Sequence, residues 1–353
     1  MSSPEKRTSK KKKKEPSPNP PLPDDFLLSC FARISTLYYP SLSLVSKSFR
    51  SLLTSPELYK VRSLSDHTEC CLYVCIQFFS DLGPTWYTLC RRPDQTLINK
   101  TKSSSSSSGY VLAKVPIPNS PRASFTGLVS VGPNIYNINS GPVSILNCRS
   151  HTWSEAPSMR DHLYSLSASV LDEKIYVIGR SRDCKNSLHK SPFFKKKKKR
   201  SRYTCSTQKL KLGILNKEVV IYDPKKVRWE VVRTRSRMDS NMDLSAYCEI
   251  DNVLYSAWGG EFRWYDTKGY IGSSLTSESS VRLADHGGKM AVLLSQNLSF
   301  YNRFSHEKMI WCGEISLERR NGGGEIWGKV EWFDHVLTVP AGCHVVKVLG
   351  VTV

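Results

Sequence analysis

The residue types that could bind a metal are most concentrated at His67, Cys70, Cys71 and Cys75. Structural zinc sites use thiolate and imidazole ligands arranged as two closely spaced pairs. No Cys-x-x-Cys pair occurs in the chain, and no second ligand pair follows this group at zinc spacing. Cys71 and Cys75 would share one face of an apolar strand. The pattern therefore predicts buried, reduced thiols and no bound metal.

Motifs for catalysis are equally sparse. The eight histidines form no pair four residues apart on a predicted helix, and the chain has neither a Gly-x-Ser-x-Gly elbow nor a Gly-x-x-x-x-Gly-Lys phosphate loop. The glycine run at Asn321–Gly324 lacks the Lys-Ser/Thr that a phosphate loop needs, so we interpret it as a flexible loop. We predict a protein that is not an enzyme and needs no cofactor.

The formal net charge of +20 is concentrated in two segments. Residues 1–15 hold seven Lys/Arg against two Glu, and residues 181–216 hold twelve Lys/Arg against one Asp. The rest of the chain is close to neutral, which disfavours nucleic acid as a partner. Apolar runs are far shorter than the roughly 20 residues of a membrane helix, and no secretory signal is visible, so no membrane partner is expected.

The first segment, residues 1–21, has the composition of a disordered basic and Pro-rich tail. Its lysine run is typical of a nuclear localisation signal, although a merely solvated charged tail is an equally good interpretation. The run consists of Lys10, Lys11, Lys12, Lys13 and Lys14. We expect the protein in the cytoplasm, the nucleus or both.

Residues 22–65 show helical periodicity. Asp24 and Asp25 after Pro23 are typical of a helix start. Two apolar stripes predict a helix that ends at Pro40 and a second helix interrupted at Ser55-Pro56, with a short final turn. The stripes are Leu27, Phe31, Ile34 and Tyr38, then Leu42, Val45, Phe49 and Leu52, while Leu22, Leu28, Leu44 and Leu53 fall on other faces. So small a unit has more apolar surface than it can bury alone and should bind a partner.

This segment also resembles an F-box, which opens with Leu-Pro-acidic and closes with Leu-x-x-Val-(Cys/Ser)-Lys-aromatic-Arg. The resemblance implies a three-helix unit that docks on a Skp-type adaptor held by a cullin scaffold. The residues that would bind the adaptor are Leu22, Pro23, Leu27, Leu42, Val45, Ser46, Lys47, Phe49 and Arg50. Which apolar members face the adaptor and which form the unit's own core stays open. The alternative is an ordinary helical subdomain packed on the rest of the chain.

From residue 66 to residue 353 the pattern is β. Short apolar strands alternate with turn residues, and a turn followed by apolar-Tyr recurs at Tyr136, Tyr176 and Tyr255. The spacing becomes regular, about 40–45 residues, once a 36-residue insertion between Gly179 and Val219 is removed; we predict disorder for this basic insertion at 181–216. Four short strands per period are typical of a β-propeller blade, and the length allows about five to six blades. The strands are predicted at Cys70–Phe78, Trp86–Arg92, Ile135–Ile138, Leu166–Val170, Ile175–Ile178, Val219–Tyr222 and Val253–Ser256.

The repeat resembles a degenerate kelch repeat, in which only Gly259-Gly260 retains the typical glycine pair. Recurrence of tryptophan and tyrosine at blade period predicts core packing between sheets. An F-box followed by kelch repeats is similar to the plant-type F-box/kelch-repeat family. That resemblance implies a substrate-recognition subunit of an SCF-type (Skp–cullin–F-box) ubiquitin ligase, with an unknown protein substrate on the propeller.

Two other functions stay open from the sequence. Some kelch propellers are copper oxidases, which need a convergent Tyr/His/Cys set. A non-ligase kelch scaffold could instead use its basic segments, such as Lys195–Arg200, to bind nucleic acid or acidic proteins.

Overall fold

The computed structural model describes residues 22–92, 108–139, 142–159, 163–171, 173–181, 217–232, 247–251, 253–258, 261–266, 269–274, 280–297, 306–320 and 325–353. The basic tail with Lys10–Lys14, the glycine pair Gly259-Gly260 and all of the basic insertion except Ser181 lie outside the described residues. The predictions made for those segments stay predictions.

The N-terminal segment is helical, with four α-helices where three were predicted. They are α1 (Asp24–Ala32), α2 (Tyr39–Leu42), α3 (Lys47–Leu53) and α4 (Pro56–Leu64), with a 3-10 helix at Thr36–Tyr38 between α1 and α2. The helices enclose a small core of their own, made of Leu28, Phe31, Ala32, Tyr39, Leu53 and Leu58.

The prediction that the first helix ends at Pro40 was wrong, because that proline begins a helix. The predicted interruption at Ser55-Pro56 is present, but Pro56 begins a nine-residue helix rather than a short turn. Pro40 lies in the first turn of α2, and Pro56 in the first turn of α4. A first-turn proline loses nothing, since its missing N–H would have no partner within the helix. Ser55 caps α4 by accepting a hydrogen bond from Leu58 N at 3.3 Å, so Ser55-Pro56 is a helix start.

Twenty antiparallel strands follow and form five four-stranded sheets in the part of the chain that the structure describes. Four sheets take four consecutive strands each, β4–β7, β8–β11, β12–β15 and β16–β19, and the fifth combines β1–β3 with the C-terminal strand β20. The strands are β1 (Cys70–Phe78), β2 (Thr85–Arg91), β3 (Tyr110–Val115), β4 (Leu128–Val131), β5 (Asn134–Asn137), β6 (Val143–Asn147), β7 (Thr152–Ala156), β8 (Leu163–Leu171), β9 (Lys174–Ser181), β10 (Lys217–Asp223), β11 (Arg228–Val232), β12 (Tyr247–Ile250), β13 (Val253–Trp258), β14 (Glu261–Asp266), β15 (Gly269–Ser274), β16 (Ser280–His286), β17 (Lys289–Asn297), β18 (Glu307–Arg320), β19 (Glu325–Pro340) and β20 (Cys343–Thr352).

This arrangement is a β-propeller, as predicted. The first strands of neighbouring sheets lie side by side in the series β12, β16, β20, β4 and β8. The described strands supply no sixth sheet, so the estimate of five to six blades is too high at its upper end. The estimate divided the number of residues in the β region by the repeat period of about 45 residues. It therefore did not allow for strands as long as β18 and β19, which have 14 and 16 residues.

The predicted internal repeat corresponds to equivalent turns in successive sheets. The turn between the first and second strands carries a residue of positive φ in four sheets: Gly132, Glu173, Asp251 and Gly287. The turn between the third and fourth strands is stabilised by Asn147 in one sheet and by Asp223 in another, because each side chain accepts hydrogen bonds from backbone N–H groups two and three residues later.

The predicted insertion coincides with one hairpin of the propeller. Strands β9 and β10 pair in regular antiparallel register, with Arg180 opposite Lys217 and Ile178 opposite Val219. The strands on either side of the insertion are therefore neighbours in the sheet, which is why its removal restores the period.

The propeller core lies between sheets. One face of β1, with Leu72, Val74 and Ile76, packs against the β16–β19 sheet, and the other face, with Tyr73 and Cys75, packs against the β4–β7 sheet. Trp86 of β2 is buried beside Trp153 of β7, with ring centroids 6.4 Å apart. These tryptophans pack between blades, as predicted.

Candidate functional site

The predicted adaptor-binding residues divide into core and surface positions. Leu27, Leu42 and Phe49 are partly buried and pack on the core of the helical unit. The Phe49 ring meets Phe31 edge to face, with centroids 4.9 Å apart. These three side chains therefore stabilise the helices and offer only part of their surface to a partner.

Apart from Tyr38 in the 3-10 helix and Leu64 at the end of α4, the large apolar side chains that the helical unit exposes lie at two places. Leu22 and Phe26 are exposed at the start of α1, and Leu44 and Val45 are exposed in the turn between α2 and α3. Leu44, at 74% exposure, is the most exposed of the four. Phe26 and Leu44 were not among the predicted site residues; the available signal was that both lie off the apolar stripes of the helices.

The predicted polar residues have local structural roles as well. Ser46 is the N-cap of α3, where its hydroxyl accepts a hydrogen bond from Phe49 N at 3.0 Å. Arg50 is exposed and donates from Nε to the Ser43 carbonyl oxygen at 3.3 Å, which holds α3 against the preceding turn. Pro23 and Lys47 are exposed.

A buried polar joint connects the helices to the propeller. Glu69, which directly precedes β1, accepts hydrogen bonds from both N and Oγ1 of Thr36, each at 2.8 Å. The same carboxylate lies 3.3 Å from Nη2 of Arg62 in α4. One carboxylate thus links the 3-10 helix and α4 to the first strand of the propeller.

Arg62 is the centre of this joint and is 1% exposed. Its Nη1 donates to the carbonyl oxygens of Ala32 and Ile34, at 3.1 and 2.8 Å, and to the Tyr39 hydroxyl at 2.9 Å. A buried guanidinium is tolerated when it is paired and hydrogen-bonded. These contacts engage Nη1 and Nη2, whereas Nε has no hydrogen-bond partner among the described residues. Burial raises the pKa of Tyr39 above its ordinary value, so the phenol stays neutral.

Apolar contacts extend the joint. Tyr59 of α4 packs into the core between the β1 and β4–β7 sheets, and the Arg149 guanidinium lies 5.4 Å from the centre of its ring. The Tyr73 hydroxyl donates to the Cys148 carbonyl oxygen at 3.0 Å beneath this contact. Leu37 of the 3-10 helix packs on the core on the other side of β1.

The cysteines near this joint are structural. Cys71 contacts the Thr36 hydroxyl at 3.1 Å and shares a face of β1 with Cys75, as predicted. Burial raises the pKa of Cys70 to about 11 and that of Cys71 to about 12, so both stay protonated thiols. No group of three or more metal-ligating side chains occurs among the described residues.

The propeller carries a second polar cluster, on the β16–β19 sheet. Glu314 lies 3.0 Å from Nδ1 of His286 and 3.4 Å from Nζ of Lys289, and it accepts a hydrogen bond from the Trp332 indole at 3.2 Å. The hydrogen bond with His286 lowers the pKa of Glu314 below its ordinary value. The cluster links all four strands of this sheet, because His286 lies in β16, Lys289 in β17, Glu314 in β18 and Trp332 in β19.

The chain thus combines two modules, a small helical unit that exposes apolar side chains and a β-propeller, which are connected through Arg62 and Glu69. Within the described residues, no helix is long and apolar enough to cross a membrane. Comparison with known proteins agrees with this two-module organisation. The family described as "FKB95, Kelch-repeats domain" matches residues 86–337, and the family "F-box domain" matches residues 21–61.

The chain belongs to the plant F-box/kelch-repeat family. F-box/kelch-repeat protein At5g51250 of Arabidopsis thaliana is 49% identical over 93% of this chain and 98% of its own length. F-box/kelch-repeat protein At4g39550 of the same plant is 45% identical over the whole of both chains. Proteins with this pairing of domains are generally adaptors rather than enzymes.

Proposed function

We propose that this chain is the substrate-recognition subunit of an SCF-type ubiquitin ligase. The helices bind a Skp-type adaptor that a cullin scaffold holds, and the propeller binds the protein that is to be ubiquitinated. The observation that carries the proposal is the set of exposed apolar side chains at Leu22, Phe26, Leu44 and Val45 on a unit of the F-box family. The chain itself performs no chemistry in this function, because ubiquitin transfer belongs to other subunits.

The exposed positions suit docking energetically. Fully burying a Leu, Val or Phe side chain is worth about 1.5–3 kcal/mol, and these four lie more than half exposed. Part of that gain is lost to the entropy cost of association. Leu27, Leu42 and Phe49 add less to binding, because they are already partly buried among the helices.

Co-purification with a Skp-type adaptor tests this proposal. We expect the wild-type chain to bind the adaptor and the variant Leu44→Asp/Val45→Asp to lose it, because two charges would be buried without partners. Leu64→Asp is the matched control, since Leu64 is 88% exposed at the end of α4. Leu22→Ala/Pro23→Ala should weaken binding less. The proposal fails if the wild-type chain captures no adaptor.

The proposal also includes the cellular location of the protein. A ligase subunit of this type would work in the cytoplasm, the nucleus or both, with Lys10–Lys14 as the candidate import signal. Replacing these five lysines by serine in a fluorescent fusion should reduce the nuclear fraction if the run is such a signal. An unchanged distribution would leave the run as a solvated tail.

A further inference from the structure

The loop between β1 and β2 presents two large apolar side chains to solvent. Phe79 is 95% exposed and Leu82 is 85% exposed. A single exposed leucine is ordinary on a protein surface, but two large apolar side chains within four residues form a local apolar protrusion. Neither residue takes part in the helical unit or in the packing between blades.

The loop is held in one conformation by its own hydrogen bonds. The Gln77 side-chain amide donates to the carbonyl oxygens of Phe78 and Asp81, at 2.9 and 2.8 Å, and Asp81 N donates to the Phe78 carbonyl oxygen at 3.2 Å. A side chain at Gly83 would overlap the carbonyl oxygen of Ser120, so the end of the loop is pinned against the β3–β4 connection. The two apolar side chains are therefore displayed at little further entropic cost.

The position of the loop is set by β1. This strand begins at Cys70, next to the joint residue Glu69, and runs for nine residues to Phe78. At about 3.3 Å per residue, the loop lies about 30 Å along the strand from the joint. The helical unit and the loop thus occupy opposite ends of one strand, and a partner at one end leaves the other end open.

We propose that Phe79 and Leu82 anchor the protein target of the propeller, and that the target is a folded protein with an apolar pocket. This inference rests on the proposed function, which requires a target. Two convex side chains fit a concave partner, whereas an extended peptide would need a groove on this chain. Asp81, between them, is the one charged residue of the loop, so the rim of the pocket should offer a lysine or an arginine. A basic loop would suit an anionic membrane, and this loop has no basic residue.

The test compares the full-length wild-type chain with Phe79→Ser/Leu82→Ser and with Val227→Ser as control. Val227 is also a large exposed apolar residue of the propeller, in the β10–β11 turn. A protein that accumulates with the chain when the proteasome is blocked is purified and titrated against all three. We expect the double variant to raise its Kd about 30-fold or more, as for truncation of central anchors, and the control to leave it unchanged.

Two further measurements distinguish other partners for the loop. Sedimentation of the chain alone reports self-association, and flotation with phosphatidylcholine/phosphatidylserine vesicles in a 4:1 ratio reports membrane binding. Equal Kd values in all three proteins, the lack of any target for the wild type, or loss of only self-association or vesicle binding would overturn the inference. Adaptor binding is measured in parallel. Its absence in the wild type refutes the proposed function, whereas loss of target binding in the double variant would still support the role of Phe79 and Leu82 as target anchors.

Discussion

Replacement of Arg62 by methionine tests whether the joint holds the helical unit to the propeller. Methionine keeps much of the buried volume but removes every hydrogen bond of the guanidinium. The carbonyl oxygens of Ala32 and Ile34 lose their Arg62 donor, and Glu69 loses its counter-charge. Breaking a buried ion pair costs about 3–5 kcal/mol. Because Glu69 is 34% exposed and can be partly rehydrated, we expect about 3 kcal/mol.

Amide hydrogen exchange measures this effect locally. A loss of about 3 kcal/mol raises the opening equilibrium of α1 and α4 by about 100-fold, since 1.36 kcal/mol is a factor of ten. The strands of the β4–β7 sheet should change much less, because they do not contact Arg62. Lys60→Met is the control: Lys60 is exposed on the same helix, and its replacement should stay within about 0.5 kcal/mol.

A double variant distinguishes the ion pair from simple packing. Arg62→Met/Glu69→Gln removes the unpaired carboxylate while the amide oxygen still accepts from Thr36 N, so it should cost less than the sum of the two single changes. If Arg62→Met destabilises no more than Lys60→Met, or if the two single changes are additive, the account of the joint given above is refuted.

Three further predictions concern other parts of the chain. Ser46→Ala removes the N-cap of α3 and should cost about 1 kcal/mol of unfolding free energy in urea, whereas Ser46→Asp keeps a cap and should be near neutral. Among the nine described cysteines, Cys30 on α1 should be alkylated first by iodoacetamide in native protein, as peptide mapping would show, because burial raises the pKa of the other eight thiols. Glu314→Gln should destabilise the propeller at neutral pH and much less in acid. The lowered pKa of Glu314 means that its stabilisation is full above the ordinary value of 4.5 and is lost as the pH falls through the lower folded pKa, so the two thermal unfolding curves should converge only in acid below that folded pKa. Uniform alkylation, or a constant difference in Tm across pH, would contradict the last two.

The strand predictions succeeded for some strands that are buried on both faces, such as β1, but missed others, such as β20, which is buried along almost its whole length. The interval Cys70–Phe78 was predicted with the bounds that the structure shows, because it is a continuous run of apolar and β-branched residues. Such a run needs no knowledge of the partner strand, since blades cover it on both sides. The outer strand β7 was not predicted, because most of its residues are exposed and its sequence carries little apolar signal.

The helix predictions failed for a different reason. Spacing placed Phe31 and Tyr38 on one stripe of a single helix. In the structure Phe31 lies in α1, whereas Tyr38 lies in the separate 3-10 helix, which Ser35 caps by accepting a hydrogen bond from Leu37 N. The stripe also missed Leu28 and Leu53, which are buried by neighbouring helices. Periodicity within one helix cannot identify side chains that are buried by another helix. The separation of core from docking residues therefore required the packed structure.

Arg62 and Glu69 were missed for a related physical reason. A charged residue near the end of a helix is usually solvated, and nothing in its local sequence shows that four acceptor groups will surround it. Arg62 is buried only because α1 ends at Ala32 and turns its last carbonyl groups towards α4, while β1 brings Glu69 to the same point. A hinge between the two modules would have to break these contacts together. The helices and strand β1 should therefore move as one body, so that the helices fix the position of any molecule bound at the far end of β1.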